Sequence, residues 1–298
     1  MCLAAVQVVL FVLYQPSMVH WLWPKALAYM EEHQLSQGKF YFCYGLFQSY
    51  LLVTLINGFY SICYWFEFPF MERYKVLEEP WPWNDDKEAW NKLFWRTFFL
   101  YGFNACVIGP LVYCPFYAFD LEVLLDFSVE GIPSSVQMVA QVFLCMLLED
   151  FTFHFSHRML HHKAIYPYVH KIHHEHKVTI GWAAQHAHPL EFVFGNLLPA
   201  AAGPILLGKR MHFATAFTWY TLRFIESAEG HSGYEFSWSP FRVLPFASDF
   251  GYHAYHHSHN IGNYSSFFTI WDTVFGSNET YYRWKEQESL ASKDSKKD

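Results

Sequence analysis

Three short runs of histidine carry the chemistry of this sequence. They read His157-Arg-Met-Leu-His161, His170-Lys-Ile-His173-His174 and His253-Ala-Tyr-His256-His257, with spacings HX3H, HX2HH and HX2HH. Residues three and four apart share one face of a helix, so each run is expected to aim its imidazoles at one spot. His154 extends the first run backwards by a further turn position. A lone histidine on an apolar face is ordinarily a hydrogen-bonded core residue. Eight imidazoles in three matched runs are a different case, because neutral and buried they leave acceptor nitrogens unsatisfied at about 1–3 kcal/mol each. Protonated, they repel one another. A bound cation resolves both problems, so the pattern predicts a metal site. Imidazole suits zinc, copper, iron and nickel alike, and eight or more ligands exceed one tetrahedral zinc shell. Two ions, or one with an unusually rich shell, are implied.

Two further histidines stand in contexts that suit additional ligands, His188 in AHPLE and His231 in EGHSGYEF. His162, His176, His186 and His259 lie beside the runs but off their spacing, which suits solvent-facing or supporting roles. Glu149, Asp150, Glu175, Glu191, Glu226, Glu229 and Asp249 are near enough in sequence to orient ligand rings, since metal-bound histidines commonly donate their second N–H to such groups. Carboxylate-rich di-iron bundle motifs are missing, and a haem would need only one or two of these histidines. No GxGxxG or Walker-type loop supplies a nucleotide site. Reducing power would therefore come from a partner. No residue is assigned a catalytic role beyond the metal centre itself.

The elements that must position these residues are read from composition. The chain has 298 residues, 53% hydrophobic, 21% aromatic and only 16% charged, with net charge −7, which is charge-poor for a soluble domain and gives no basic footprint for nucleic acid. Residues 1–24, 40–66, 97–119 and 131–148 contain no Asp, Glu, Lys or Arg, and each approaches or exceeds the roughly 18–20 residues of a spanning helix. The first lacks a basic n-region and a clear cleavage site, so it reads as a span rather than a signal peptide. The segment 67–96 carries Arg73, Lys75, Lys87, Lys92 and Arg96, whereas 120–130 carries Asp120, Glu122, Asp126 and Glu130 and no base. The basic segment is therefore expected on the cytosolic side and the acidic one across the membrane. The apolar stretches 192–208, interrupted by Pro199, Gly203 and Pro204, and 211–222, separated from it by Lys209-Arg210, read together as a re-entrant or membrane-resting hairpin rather than two full crossings. Trp21, Trp23, Trp81 and Trp83 suit an interfacial belt, and the six scattered cysteines read as small buried hydrophobes. The expected architecture is all-α, a polytopic membrane helix bundle of about four spans with a cytosolic-side, histidine-rich helical cap. Its regions are 1–148 transmembrane, 149–283 catalytic and 284–298 a charged, flexible tail.

At LEDFTFHFSHRMLHHKAIYPYVHKIHHE, AHPLE, HSGYEFSWSP and HHSHNIGNYSSFFTIWDTVFGS the chain resembles the sterol C-4 methyl oxidases of the membrane-bound fatty acid hydroxylase superfamily, across residues 148–281. The histidine runs carry the superfamily; HSGY with WSP, and GNYSS with WD and FG, carry the sterol branch. The resemblance implies a non-haem di-iron monooxygenase of the endoplasmic reticulum, with both termini and the active site cytosolic. The two irons would be held by His157, His161, His170, His173, His174, His253, His256 and His257, helped by His188 and His231. It further implies dioxygen as co-substrate and a sterol substrate in the lipid bilayer. Electrons would come from NAD(P)H through a cytochrome b5-type donor and its reductase, with other sterol-demethylation enzymes as possible neighbours. Fatty acid or sphingolipid hydroxylases, sterol desaturases and catalytically silent metal-binding subunits share the same runs. This chain departs from the family's pattern at Ala254, where Asp is common, and at Gln185-His186, where Glu-Tyr is common.

Overall fold

A computed structural model describes residues 2–294, which form helices joined by short turns; the described residues include no strand, only isolated bridges such as Lys75 with Tyr234 and Asp126 with His212. Five helices are long and apolar enough to cross a membrane: α1 (Cys2–Glu32), α2 (Gln37–Phe66), α3 (Lys87–Ala118), α4 (Ser135–Leu160) and α5 (Pro189–Arg210). Helix starts are fixed locally. Ser36 Oγ accepts from Lys39 N–H, Asp86 Oδ1 accepts from Glu88 and Ala89 N–H, and Ser134 Oγ accepts from Gln137 N–H, each a side-chain oxygen closing an otherwise orphaned donor. Large apolar side chains such as Leu13, Trp65, Phe99 and Leu111 stay exposed on these helices. Such a surface is stable only against hydrocarbon, and the chain is a multi-pass membrane protein.

Four of the five helices coincide with the charge-free windows. The fifth, α5, is the first arm of the expected hairpin, which turns at Gly208–Arg210, but it is long enough to span, and its end meets the first turns of α4 where Gln141 Nε2 donates to Arg210 O (2.7 Å). α5 runs on past Pro199 because a π-type turn at Phe192–Leu197 resets the register so that Pro199 falls at the start of the following α-helical stretch, and past Pro204 with Ala200 O, the carbonyl four residues earlier, accepting from Trp219 Nε1 (2.7 Å). It packs tightly on α4: a Cβ at Gly203 would sit 2.4 Å from Cys145 Sγ and 2.8 Å from its Cα. A second π-type turn interrupts α3 at Asn104–Ile108, where Asn104 Nδ2 donates to Ala187 O (2.8 Å) just ahead of α5.

Behind the spans, α6 (Phe213–His231) threads the bundle with most of one face buried. Gln15 Nε2 donates to Thr218 Oγ1 (3.0 Å), and Gln48 Nε2 donates to Phe217 O and Thr221 Oγ1 (both 2.9 Å), tying α1 and α2 to it. Trp23, Phe40, Phe127, Phe213 and Trp219 belong to the apolar core around this helix. The chain closes with α7 (Phe250–His259), α8 (Ile270–Phe275) and α9 (Glu279–Asp294). The segment read as a tail from residue 284 is thus helical as far as Asp294, and residues 295–298 lie outside the described residues.

Two smaller expectations are corrected. Trp23 and Trp81 are core rather than interfacial, with Trp23 Nε1 donating to Phe127 O and Trp81 Nε1 donating to Glu72 Oε2 (both 2.9 Å), while Trp21 remains exposed. A buried indole needs such a partner, and these two have one. Of the cysteines, Cys63 and Cys145 are buried, but Cys43, Cys106 and Cys114 are exposed on the outer faces of α2 and α3, where a thiol meets lipid without penalty.

The α4–α5 contact leaves no room for a side chain at Gly203, so Gly203→Val is expected to cost about 1–3 kcal/mol through overpacking. A lowered midpoint of thermal unfolding in detergent, relative to an exposed control such as Leu206→Val, checks this.

Candidate metal centre

Each histidine run rides on a different element. His157 sits in the last turn of α4 and His161 caps it; His170, His173 and His174 lie on turns closed by a 3-10 segment at His173–Glu175; His253, His256 and His257 line α7; and His231 ends α6. Their ring nitrogens gather into two groups. His157, His161, His170, His174 and His256 form one, and His173, His231, His253 and His257 form the other, with the facing nitrogens in each group within 4.8 Å of one another.

The runs therefore do not each point at one spot. In the second, His170 and His174 face one group while His173 faces the other; in the third, His253 and His257 share a group while His256 joins the opposite one. Positions four apart stay together. The intervening residue is rotated away, which turns two short turns of chain into bridges between the groups.

The geometry fits a cation at each group. His157 Nδ1 donates to Tyr264 O (2.9 Å), His256 Nδ1 to Gly262 O (2.5 Å), His257 Nδ1 to His176 O (3.1 Å), His173 Nδ1 to His186 O (3.2 Å) and His231 Nδ1 to Ser227 O (2.7 Å). A carbonyl has no proton to give, so each Nδ1 carries the hydrogen and each Nε2 presents a bare lone pair. Those Nε2 atoms nevertheless face other ring nitrogens closely: His173 to His231 at 3.3 Å, His157 to His170 at 3.0 Å and His161 to His256 at 3.1 Å. Between His173 and His231 neither nitrogen has a proton to share, so the approach is repulsive as it stands. Ligands at bonds of about 2.1 Å from one ion are spaced about 3.0–3.4 Å apart, which matches.

Charge points the same way. Burial, with neighbouring imidazoles adding to it, pushes His161 down to about 2 and His174 to about 3. Burial brings His231 to about 4 against the opposing pull of its bond to Ser227 O. His170, His173, His253, His256 and His257 lie well below the ordinary imidazole value for the same first cause. All are neutral at physiological pH, the form that binds metal.

Nine of the ten residues singled out in the sequence lie in the two groups; His188 lies in neither. It caps the start of α5, with Nδ1 accepting from Leu190 N–H (3.1 Å). His154 is turned to Ser265 Oγ (3.2 Å) and Asp272 Oδ1 (3.4 Å). His176 and His186 are buried, both on Thr97 Oγ1 of α3 (2.8 and 2.9 Å), and lend their backbone carbonyls to His257 and His173. Of the seven candidate carboxylates, Glu191 lies 2.9 Å from His170 Nδ1. Glu149 and Glu226 pair with Arg223, and Glu175 pairs with His186 and Arg96. Asp249 caps α7 through Tyr252 N–H (2.9 Å). Ala254 is enclosed within α7, and Gln185-His186 lies in a 3-10 turn and its cap.

Sequence reading missed Asp272. Its Oδ1 accepts from Tyr264 N–H (3.0 Å) and Ser277 Oγ (2.6 Å), and its Oδ2 accepts from Ser265 N–H (2.9 Å) and Tyr252 OH (2.8 Å). Asp150 Oδ1 takes the next three amides, Ser266, Phe267 and Phe268 (2.8–3.1 Å). Together they shape the loop whose carbonyls hold His157 and His256. The signal was present as the NYSS and WD residues, which carry no metal ligand of their own. At Gly262 in this loop φ is +60° and a Cβ would lie 2.0 Å from Ser277 O, so only glycine fits.

A cavity lined by Phe153, His157, Glu191, Arg223, His231 and His253 adjoins both groups between α4, α5 and α6.

The chain matches the fatty acid hydroxylase family over residues 142–277. It is 35% identical to methylsterol monooxygenase 1 of Gallus gallus over 220 residues, covering 74% of this chain and 71% of that one. The Danio rerio protein of the same name is also 35% identical over 217 residues, 72% of this chain and 70% of that one. A very-long-chain aldehyde decarbonylase, GL1-8 of Oryza sativa subsp. japonica, is 38% identical over 186 residues, 61% of this chain and 68% of that one. No solved structure matches.

Removing the loop clamp with Asp272→Ala is expected to weaken metal retention about 10–100-fold, measured by competition with a chelator. A second expectation concerns pH. These rings ionise less readily in the folded chain than at the ordinary value of about 6.5, so the unfolded chain takes up protons first as pH falls. The metal-free protein keeps its full stability above about pH 6.5 and loses it progressively as pH drops through that value toward the folded values. Denaturant midpoints of chelator-treated protein at pH 7.5 and 5.5 read this directly, and equal midpoints would contradict it.

Proposed function

The chain belongs to the fatty acid hydroxylase family, and on that premise we propose that it is a methylsterol monooxygenase. In this reading it is an O2-dependent oxidoreductase of the endoplasmic reticulum membrane that oxidises the C-4 methyl group of sterol precursors in sterol biosynthesis. The observation that carries the reading is the pair of imidazole groups with inward lone pairs beside a cavity framed by membrane helices.

His157, His161, His170, His174 and His256 would hold one iron, and His173, His231, His253 and His257 the other. When bound, the iron pair supplies the activation of dioxygen needed to attack an unactivated C–H bond, which no side-chain acid or base can do. The chain's own residues prepare for that. Backbone carbonyls of Tyr264, Gly262, His176, His186 and Ser227 fix ring orientation and tautomer. Phe153 and Leu160 on α4, with Gly195 on α5, give the cavity an apolar wall that excludes water. An apolar substrate would reach it from the bilayer. Electrons would arrive from NAD(P)H through a cytochrome b5-type partner and its reductase on the cytosolic side, since the sequence has no nucleotide-binding loop of its own.

The higher identity to aldehyde decarbonylases supports a second reading, in which the substrate is a long-chain aldehyde. Expression in cells blocked in sterol demethylation separates the two. Restored growth with loss of accumulated methylsterol supports the first, and alkane release from supplied aldehydes without sterol change supports the second. His173→Ala and His256→Ala strike different groups, so each is expected to lower turnover more than about 100-fold and to deplete iron in the reconstituted protein while leaving membrane insertion unchanged. Iron analysis with product chromatography checks both, and full activity in either variant removes that residue from the assignment.

A further inference from the structure

Arg223 is a largely enclosed cation that shares a cavity lining with members of both histidine groups. Its side chain is 12% exposed, and it lines the two neighbouring cavities together with Phe153, Ser227, His231 and His253. Nε donates to Glu149 Oε1 on α4 (2.7 Å), and Nη1 donates to Glu226 Oε2 one turn along α6 (2.8 Å). The ring centroids of Phe153 and Phe267 stand 5.6 and 5.8 Å from the guanidinium carbon, within cation–π range. Among the described residues Nη2 has no hydrogen-bond partner, and it is not fully enclosed.

A brace between α4 and α6 would need one carboxylate and no opening onto the reaction cavity. Here a planar fork is tied back to protein through Nε and Nη1, while Nη2 stays uncommitted on a residue that lines the cavity beside the histidines. Two glutamates against one guanidinium leave no surplus positive charge. Glu226, which burial pushes up to about 7 despite the neighbouring Arg223, still places carboxyl oxygen there. Such a site offers N–H donors while disfavouring an anion.

We propose that the free edge of Arg223 is a specificity-determining site that receives a neutral oxygen, a hydroxyl or carbonyl, borne on the substrate carbon facing the histidines. A lipid that has gained an oxygen is thereby retained, and one that has become a carboxylate is released. This rests on reading the site as a lipid oxidase.

The test uses the full-length chain in lipid nanodiscs and three sterol probes that differ only at C-4: methyl, hydroxymethyl and carboxylate. Wild type is expected to bind the hydroxymethyl probe about tenfold more tightly than the methyl probe, and the carboxylate more weakly than the hydroxymethyl. Arg223→Lys keeps the charge and loses the fork, and Arg223→Gln removes both. Each is expected to abolish the preference and, in turnover, to release alcohol at the expense of acid while retaining metal. Preference surviving in both variants overturns the proposal, as does carboxylate bound tightest by wild type. Loss of metal and helix content in both variants also overturns it, since Arg223 is then a brace. Failure of the oxidase reading looks different: wild type then oxidises no sterol, while the binding comparison still decides the role of Arg223.

Discussion

Uncharged imidazoles pressed together with their lone pairs facing inward are the constraint on which the rest of this structure depends. Groups of five and four rings meet at nitrogen separations that no hydrogen bond accounts for where both outer nitrogens already hold the proton. Each unsatisfied acceptor costs about 1–3 kcal/mol, so the chain must spend packing energy to hold the arrangement open. It does so with the core around α6, with glycine-mediated contact between α4 and α5, and with polar ties from α1 and α2.

Orientation is set from outside the groups, and mainly by backbone. Five rings donate outward to carbonyl oxygens of turns and loops, and among the described residues only His170 has a carboxylate within 3 Å of its outer nitrogen. Carbonyl acceptors keep the rings neutral, whereas carboxylates would draw them toward protonation. The acidic residues have moved one step back. Asp150 and Asp272 collect the amides of 264–268 and so shape the loop that supplies carbonyls to His157 and His256. Thr97 does the same for the opposite side through His176 and His186.

Much of this was legible in the sequence, for reasons that can be stated residue by residue. Charge-free windows mark spans because hydrocarbon excludes charge, and repeated HX2HH spacing marks ligands because stacked imidazoles have few other uses. The division of each run between two groups was not legible, because residues three and four apart look alike as spacing and separate only once the axis of α7 is aimed. His188 stood in ligand-like company but caps a helix. α5 was hidden by Pro199, which a π-type turn places at a helix start, and by Pro204, whose missing N–H leaves Ala200 O to accept from Trp219 Nε1 instead. Asp272 was invisible because its partners are amides, which every residue has. The exposed cysteines and the buried Trp23 and Trp81 were misjudged because side-chain type alone cannot say which face of a long helix meets lipid.

His173 and His174 are consecutive residues, as are His256 and His257, yet the members of each pair serve opposite groups. Adjacent Cα atoms are about 3.8 Å apart across a trans peptide, so the gap between the groups is bounded by covalent bonds in two places. Changes in bilayer thickness act on spanning helices through tilt. The two groups are tethered to each other by single peptide links, which limits how far such tilting can draw them apart.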